Sequence, residues 1–171
     1  MGRMIRRTRP PLRPDLATQL TLVRPSVSLR GFEYRPCEVE MSDGSINSYV
    51  YVADSVSYFP EWGVDPEDYP GKSSVSVEDI ASIKESPYRL PPSIATEVLH
   101  RPGGMEKTGG FYLRLKGDRY LHCNTGDAVD FLEWPEGVTP SQVTELLDGP
   151  VYGQRLEASG AKFWWALFEP S

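Results

Sequence analysis

Asp54-Ser55-Val56-Ser57-Tyr58-Phe59-Pro60-Glu61-Trp62-Gly63-Val64-Asp65-Pro66 and Asp127-Ala128-Val129-Asp130-Phe131-Leu132-Glu133-Trp134-Pro135-Glu136-Gly137-Val138-Thr139-Pro140 share one pattern. Each runs Asp-x-Val-x-aromatic into Glu-Trp and then Gly-Val-x-Pro. A pattern repeated at this distance points to two similar β-units, because stacked or paired supersecondary elements leave such self-similarity. The copies align only with small gaps. The strands upstream align only if the register slips by one residue, which would exchange strand faces. We therefore read a pair of β-units, at 37–83 and 110–148, rather than a plain duplication.

Working outward from the first copy, Val39 and Met41 share one strand face and Glu38 and Glu40 the other. Ser42-Asp43-Gly44-Ser45 is a turn, and Tyr49–Val52 returns as the second arm of a hairpin. Asp54–Phe59 continues extended until Pro60 stops it. In the loop that follows, Asp65 is placed to cap a helical turn with Pro66 at its first position. Val75 and Val77 alternate as a short strand, and Ile80 and Ile83, three apart, suggest a turn of helix or a bent strand.

Around the second copy, Ile94, Ala95, Val98 and Leu99 fall on one face of a helix over 93–101. Phe111–Leu115, Arg119–Cys123 and Asp127–Leu132, separated by glycine turns, read as three antiparallel strands. Thr139, Pro140 and Gln142 form a capping box for a helix over 139–148, with Val138 stapled to Val143. Phe163–Phe168 is apolar throughout and reads as a terminal strand buried on both faces. The expected fold is α+β and mainly antiparallel: one domain over 31–171 with two short helices.

Charge divides the chain unevenly. Residues 1–36 carry eight Arg against Asp15 and Glu33, whereas 37–171 carry 22 acidic and ten basic groups. An acidic body repels phosphates, so nucleic-acid binding is expected only through the arginine arm, and basic proteins or cations are the compatible partners. Residues 1–30, with Arg3, Arg6, Arg7, Arg9 and Arg13 set among Pro10, Pro11 and Pro14, read as a basic, flexible arm. Their proline spacing argues against a helix, and the arm carries few apolar groups to offset chain entropy. The fold is expected to begin near Val27 or Phe32.

Cys37 and Cys123 fit no disulfide framework or metal spacing and read as free thiols in a reducing compartment. No run approaches the length of a membrane helix, and no secretory core follows Arg6-Arg7, so a cytoplasmic location without membrane association is expected.

His122-Cys123 cannot act as a nucleophile and base together, since neighbours on a strand face opposite ways. Lys107-Thr108-Gly109 lacks the Ser-x-x-Lys that would accompany it in an acyl enzyme, and Gly103–Gly110 lacks the glycine that a phosphate loop needs before its lysine. Asp65, Glu67 and Asp68 gather carboxylates beside Trp62 and Tyr69. Their spacing lacks the order of a calcium loop, so no metal and no cofactor is expected; the loop instead suits a Lys or Arg from a partner. Trp62 and Trp134 stand at the exits of extended segments, where tryptophan either packs strand ends or anchors a partner.

Trp62-Gly63-Val64-Asp65-Pro66-Glu67-Asp68 with Pro70-Gly71-Lys72, together with Glu78-Asp79-Ile80 and Gly126-Asp127-Ala128-Val129-Asp130-Phe131, resembles a group of short bacterial proteins of uncharacterised function over residues 37–148. That resemblance implies a soluble bacterial protein and carries no activity. Val39-Glu40-Met41-Ser42-Asp43-Gly44 and Val77-Glu78-Asp79-Ile80 are also similar to SH3-like and Sm-like small barrels.

The expected function is therefore a non-catalytic binding module with an acidic surface that meets a basic protein partner. The candidate binding residues are Trp62, Asp65, Glu67, Asp68, Tyr69, His122 and Trp134, with no catalytic residue assigned. An acidic immunity or inhibitor-type protein masking a basic partner is the first alternative, and a small enzyme using His122 or the Asp65–Asp68 loop the second. Oligomeric state is open.

Overall fold

A computed structural model of the chain describes residues 6–101, 110–126 and 128–170. The chain divides into two compact units, Met1–Ser86 with Phe163–Ser171, and Pro87–Lys162. The division differs from the expected single domain over 31–171: the first unit takes its last strand from the far end of the chain. Both units are α+β. Antiparallel pairs predominate in their sheets, as expected, but parallel pairs join them, and among the described residues no barrel closes, which corrects the expected small-barrel character.

In the first unit, α1 (Pro14–Thr21) leads into β1 (Ser26–Val27), β2 (Glu33–Met41) and β3 (Ile46–Asp54). Then follow α2 (Ser55–Trp62), β4 (Ser73–Ser74), β5 (Ile80–Glu85) and, after the second unit, β10 (Trp164–Phe168). The sheet order is β1-β2-β3-β10-β4, with β5 also antiparallel to β2. The β2–β3 hairpin forms as its sequence suggests. Its turn is held by the Asp43 carboxylate, which accepts from the Ser45 N–H at 2.9 Å and the Ser45 hydroxyl at 2.6 Å. Strand β10 lies between β3 and β4 and runs parallel to both. Trp165, Ala166 and Leu167 are all buried, as an unbroken apolar run at the centre of a sheet must be.

Alternation along β3 splits the core into two layers. Val50 and Val52 face a cluster of aliphatic groups with Cys37, Val39, Ile80, Ile83 and Ala166, roofed by Leu16 and Leu20 of α1. Ile80 and Ile83 share that side despite their odd spacing because the β2–β5 register shifts between Glu40 and Met41, a bulge that skips Ala81. Tyr51 faces the other layer, an aromatic one, where Trp165 packs against Tyr51, Tyr58, Trp62, Phe32, Tyr34 and Phe163.

Two local expectations are corrected in this unit. Residues 14–21 of the supposed arm are helical. Pro14 sits within the first turn, where a missing N–H costs nothing, and Leu16 and Leu20 supply the buried face that the arm appeared to lack. Residues 55–59 do not continue the strand: Asp54 ends β3, and its carboxylate accepts from the Ser57 N–H at 2.7 Å and starts α2. That helix tolerates Pro60 and ends at Gly63, whose φ of 75° closes it in the left-handed region.

In the second unit, α3 (Pro92–Leu99) matches the expected helix over 93–101 to within a turn. The sheet order is β8 (Val143–Leu146), β6 (Phe111–Leu115), β7 (Arg119–Asn124), β9 (Leu156–Ser159), with β9 parallel to β7. The third strand expected over 127–132 shortens to two isolated bridges, Arg89 with Phe131 and Leu132 with Gly160. The expected helix over 139–148 is absent. Pro140–Gln142 makes one 3-10 turn, the Thr139 side chain caps nothing, and Val143–Leu146 pairs with β6. The β-branched Val143 and Thr144 fit a pleated edge better than a helix, and an open neighbouring strand outweighs a local cap signal.

The two copies of the repeat therefore agree only in their second halves. Gly63 and Gly137 both take positive φ, 75° and 78°, and each leads through Val-x to a proline-initiated 3-10 turn, Pro66–Asp68 and Pro140–Gln142. The first halves differ: a helix in one copy, isolated bridges in the other, with Asp127 outside the described residues. The stretch Lys107-Thr108-Gly109 also lies outside them.

Gly110 makes a strong prediction. Its φ is +73°, and a Cβ there would lie 2.1 Å from the Cys123 carbonyl oxygen in the facing strand. Gly110→Ala is expected to cost about 1–3 kcal/mol, because neither backbone can give way without breaking the β6–β7 pairing. Urea unfolding of the variant measures this. An unchanged midpoint would mean that the close approach is wrong.

Candidate functional site

The acidic turn is built by the shared Gly-Val-x-Pro motif. Gly63 reverses the chain, Asp65 stands extended before the 3-10 turn Pro66–Asp68, and β4 ties the following segment to β10. Asp65 occupies the cap position, yet its side chain caps nothing. Its carboxylate is freed and almost fully buried, at 1% exposure. A buried carboxylate needs charged or hydrogen-bonding partners, or its desolvation cost is prohibitive.

Those partners come from the N-terminal segment. The Arg9 guanidinium donates to both oxygens of Glu67, at 2.9 and 2.6 Å, and to Asp65 Oδ1 at 3.2 Å. The Arg7 backbone N–H donates to Asp65 Oδ2 at 2.7 Å, and its guanidinium forks onto Asp68 at 3.1 and 2.6 Å. Arg6 pairs with Glu169 and donates to the Ser55 hydroxyl at 2.9 Å. The segment is extended and its main chain is read as well. Arg9 N–H donates to Glu169 Oε1 at 2.9 Å, Glu169 N–H donates to the Pro10 carbonyl at 3.1 Å, and Pro11 bridges Glu169 in parallel. Residues 6–11 thus lie along a groove lined by Asp65, Glu67, Asp68 and Glu169, where the sequence suggests a flexible arm.

The pairs are unequal. The Arg9 side chain is 14% exposed against a fully buried Asp65 side chain, whereas Arg7 and Asp68 are about half exposed. Exposed pairs contribute about 0–1 kcal/mol, so the docking energy is concentrated at Arg9.

Aromatic side chains flank the acidic turn in sequence. Lys72 Nζ stands 3.8 Å from the Trp62 ring centre and 4.9 Å from that of Tyr69, a second cation held by the same surface. The Tyr58 hydroxyl is fully buried with no hydrogen-bond partner among the described residues, as is the Nε of Arg9. Burial, then the Asp65 and Glu67 charges, raise the Tyr58 pKa.

Electrostatics follow the geometry. Burial works against the Glu67 carboxylate, but Arg9 and the Ser74 hydroxyl overcome it and hold its pKa below the ordinary value. Arg7 lowers that of Asp68, and Arg6 with the Arg9 N–H lowers that of Glu169. A carboxylate with a lowered folded pKa contributes stability that is complete above its unfolded value and lost as pH falls through the folded one. The ordinary values are 4.5 for Glu and 3.8 for Asp. Stability is therefore expected to fall as pH drops below about 4.5, and more steeply in the native chain than in one carrying Arg7→Ala and Arg9→Ala. Melting temperature against pH measures the difference, and parallel acid limbs would contradict it.

Five of the expected site residues, Trp62, Asp65, Glu67, Asp68 and Tyr69, come together in the first unit. His122 and Trp134 belong to the second. His122 Nδ1 lies 2.7 Å from Glu157 Oε2, and its ring stacks on Tyr112 at 4.5 Å. Trp134 Nε1 donates to the Tyr88 carbonyl at 2.8 Å, a packing role. Cys123 faces inward from His122, and burial pushes its thiol pKa up, so it supplies no thiolate.

Arg6, Arg7, Arg9, Tyr58, Lys72 and Glu169 were not foreseen as site residues. Their signal was the charge asymmetry itself: an arginine-rich end and an acidic loop in one chain complement each other. Among the described residues no group of three or more metal-binding side chains is gathered, and no helix is long and apolar enough to cross a membrane. Comparison with protein-family models, with curated proteins and with solved structures finds no match to this chain.

Proposed function

We infer that the protein is a non-catalytic binding module that receives a basic, arginine-bearing segment of a protein partner in the groove of Asp65, Glu67, Asp68 and Glu169. The observation that carries this reading is the Arg9 guanidinium, held by Asp65 and Glu67 with little exposure to water. A guanidinium pinned by two carboxylates is the interaction that arginine is suited to in protein recognition. Trp62 beside the acidic turn already attracts one cation, Lys72. Phosphate groups are repelled by the same carboxylates, which favours a basic peptide over nucleic acid.

The test uses the full chain with Arg7→Ala and Arg9→Ala, which removes two guanidinium groups from the groove carboxylates, and a labelled Arg-Arg-Thr-Arg-Pro-Pro-Leu peptide. Binding that weakens at least tenfold when Glu67→Gln and Asp68→Asn are added supports the reading. No binding by the folded variant, or binding indifferent to those two carboxylates, defeats it.

A further inference from the structure

We propose that residues 6–11 are a tethered competitor: they occupy the groove in cis, and a partner gains access only by displacing them with a matching extended segment that carries arginine two residues apart and is rejected when lysine stands in its place. This inference rests on the groove being a receptor for basic segments, and adds what regulates it and what it selects.

The acidic cluster alone would not justify a site. Two further observations point to a ligand. An occupant is seated there, bonded through both side chains and main chain. The Tyr58 hydroxyl is also fully buried without a hydrogen-bond partner among the described residues.

Occupation in cis follows from the anchoring of α1. Leu16 and Leu20 fix that helix in the core, so only Leu12 and Arg13 separate the docked residues from a rigid element. A tether that short holds its segment at an effective concentration on the order of millimolar, against which a free partner must compete. The apparent affinity of the groove falls by the fraction of time that it stands open.

Selection follows from geometry. The Arg9 fork spans both Glu67 oxygens and one of Asp65, and the Arg7 fork spans both oxygens of Asp68. A lysine ammonium is a single point charge on a flexible stem and cannot bridge two carboxylates in one plane. The carboxylates of Asp65 and Glu169 accept from the backbone N–H groups of Arg7 and Arg9, two residues apart, so the ligand must also be extended.

Fluorescence anisotropy tests this with labelled Arg-Arg-Thr-Arg-Pro-Pro-Leu and its counterpart with lysine at all three arginine positions. Each is titrated into the native full chain and into the chain carrying Arg7→Ala and Arg9→Ala. The arginine peptide is expected to bind the vacated chain at least tenfold more tightly than the native chain, and at least tenfold more tightly than the lysine peptide does. Should the alanine chain fail to fold, Arg7→Lys with Arg9→Lys keeps the charge and removes the forks. That chain should still take up the arginine peptide several-fold more tightly than the native one. Equal affinity of native and vacated chains, or of the two peptides, overturns the inference and leaves the groove standing as a receptor. Failure of both peptides to bind a folded, vacated chain removes the groove as a receptor and this inference with it.

Discussion

Trp165→Ala is expected to destabilise the first unit by about 3–5 kcal/mol, a large share of the stability of an ordinary domain. Trp165 is 1% exposed and among the largest fully buried side chains. Its ring centre lies 4.8 Å from that of Tyr58, 4.9 Å from Tyr51 and 5.8 Å from Trp62, so truncation would open a cavity bordered by rings that cannot collapse into it. The same residue sits in β10, between β3 and β4, where sheet pairing prevents backbone relaxation. Its Nε1 is buried without a partner among the described residues, so Trp165→Phe removes an unsatisfied donor along with some volume and should cost well under half as much. Chemical unfolding of both variants checks the pair. A Trp165→Ala loss below about 1 kcal/mol would contradict the aromatic layer.

Arg9→Ala is expected to cost about 2–4 kcal/mol, although it replaces a residue within the first ten of the chain. The reason is what it leaves behind. Asp65 stays buried with the Arg7 backbone N–H beside it, and Glu67 loses the guanidinium fork of Arg9. Arg7→Ala breaks a pair whose members are half exposed and should change stability by less than about 1 kcal/mol. The contrast between two arginines, two residues apart, separates desolvated pairing from surface charge. Urea unfolding of the two single variants measures it. Equal, small effects would mean that the segment does not dock.

Where a pattern had one physical reading, the sequence was informative. The β2–β3 hairpin, the terminal strand, the helix near 93–101 and the opposite orientation of His122 and Cys123 all follow from period and turn chemistry. The failures share a cause: a local signal lost to a tertiary one. Thr139-Pro140-Ser141-Gln142 has the composition of a helix start, but the edge of β6 takes Val143–Leu146 as a strand. Asp54–Phe59 has the alternation of a strand, but β3 stops at Asp54, whose short carboxylate caps α2. Prolines in the first 14 residues suggested disorder, whereas one of them opens α1 and others suit an extended segment that needs no N–H of its own.

The site was half legible for a related reason. The sequence suggests Asp65, Glu67 and Asp68, beside Trp62 and Tyr69, as a loop that receives a Lys or Arg from a partner, whereas the arginines seated there belong to the same chain. Pairing residues 7 and 9 with 65–68 is a long-range contact on which periodicity is silent. The repeat that frames the loop proved to be a shared Gly-Val-x-Pro turn carried on two different local structures.

The most direct measurement is a double-mutant cycle between Arg9→Ala and Asp65→Asn, read by urea unfolding at neutral pH. Docking in cis predicts a coupling of about 1.5 kcal/mol or more, with the double variant more stable than the sum of single losses implies. Losses that add to within about 0.3 kcal/mol would show that Arg9 and Asp65 do not meet, and the account of an occupied groove would fall.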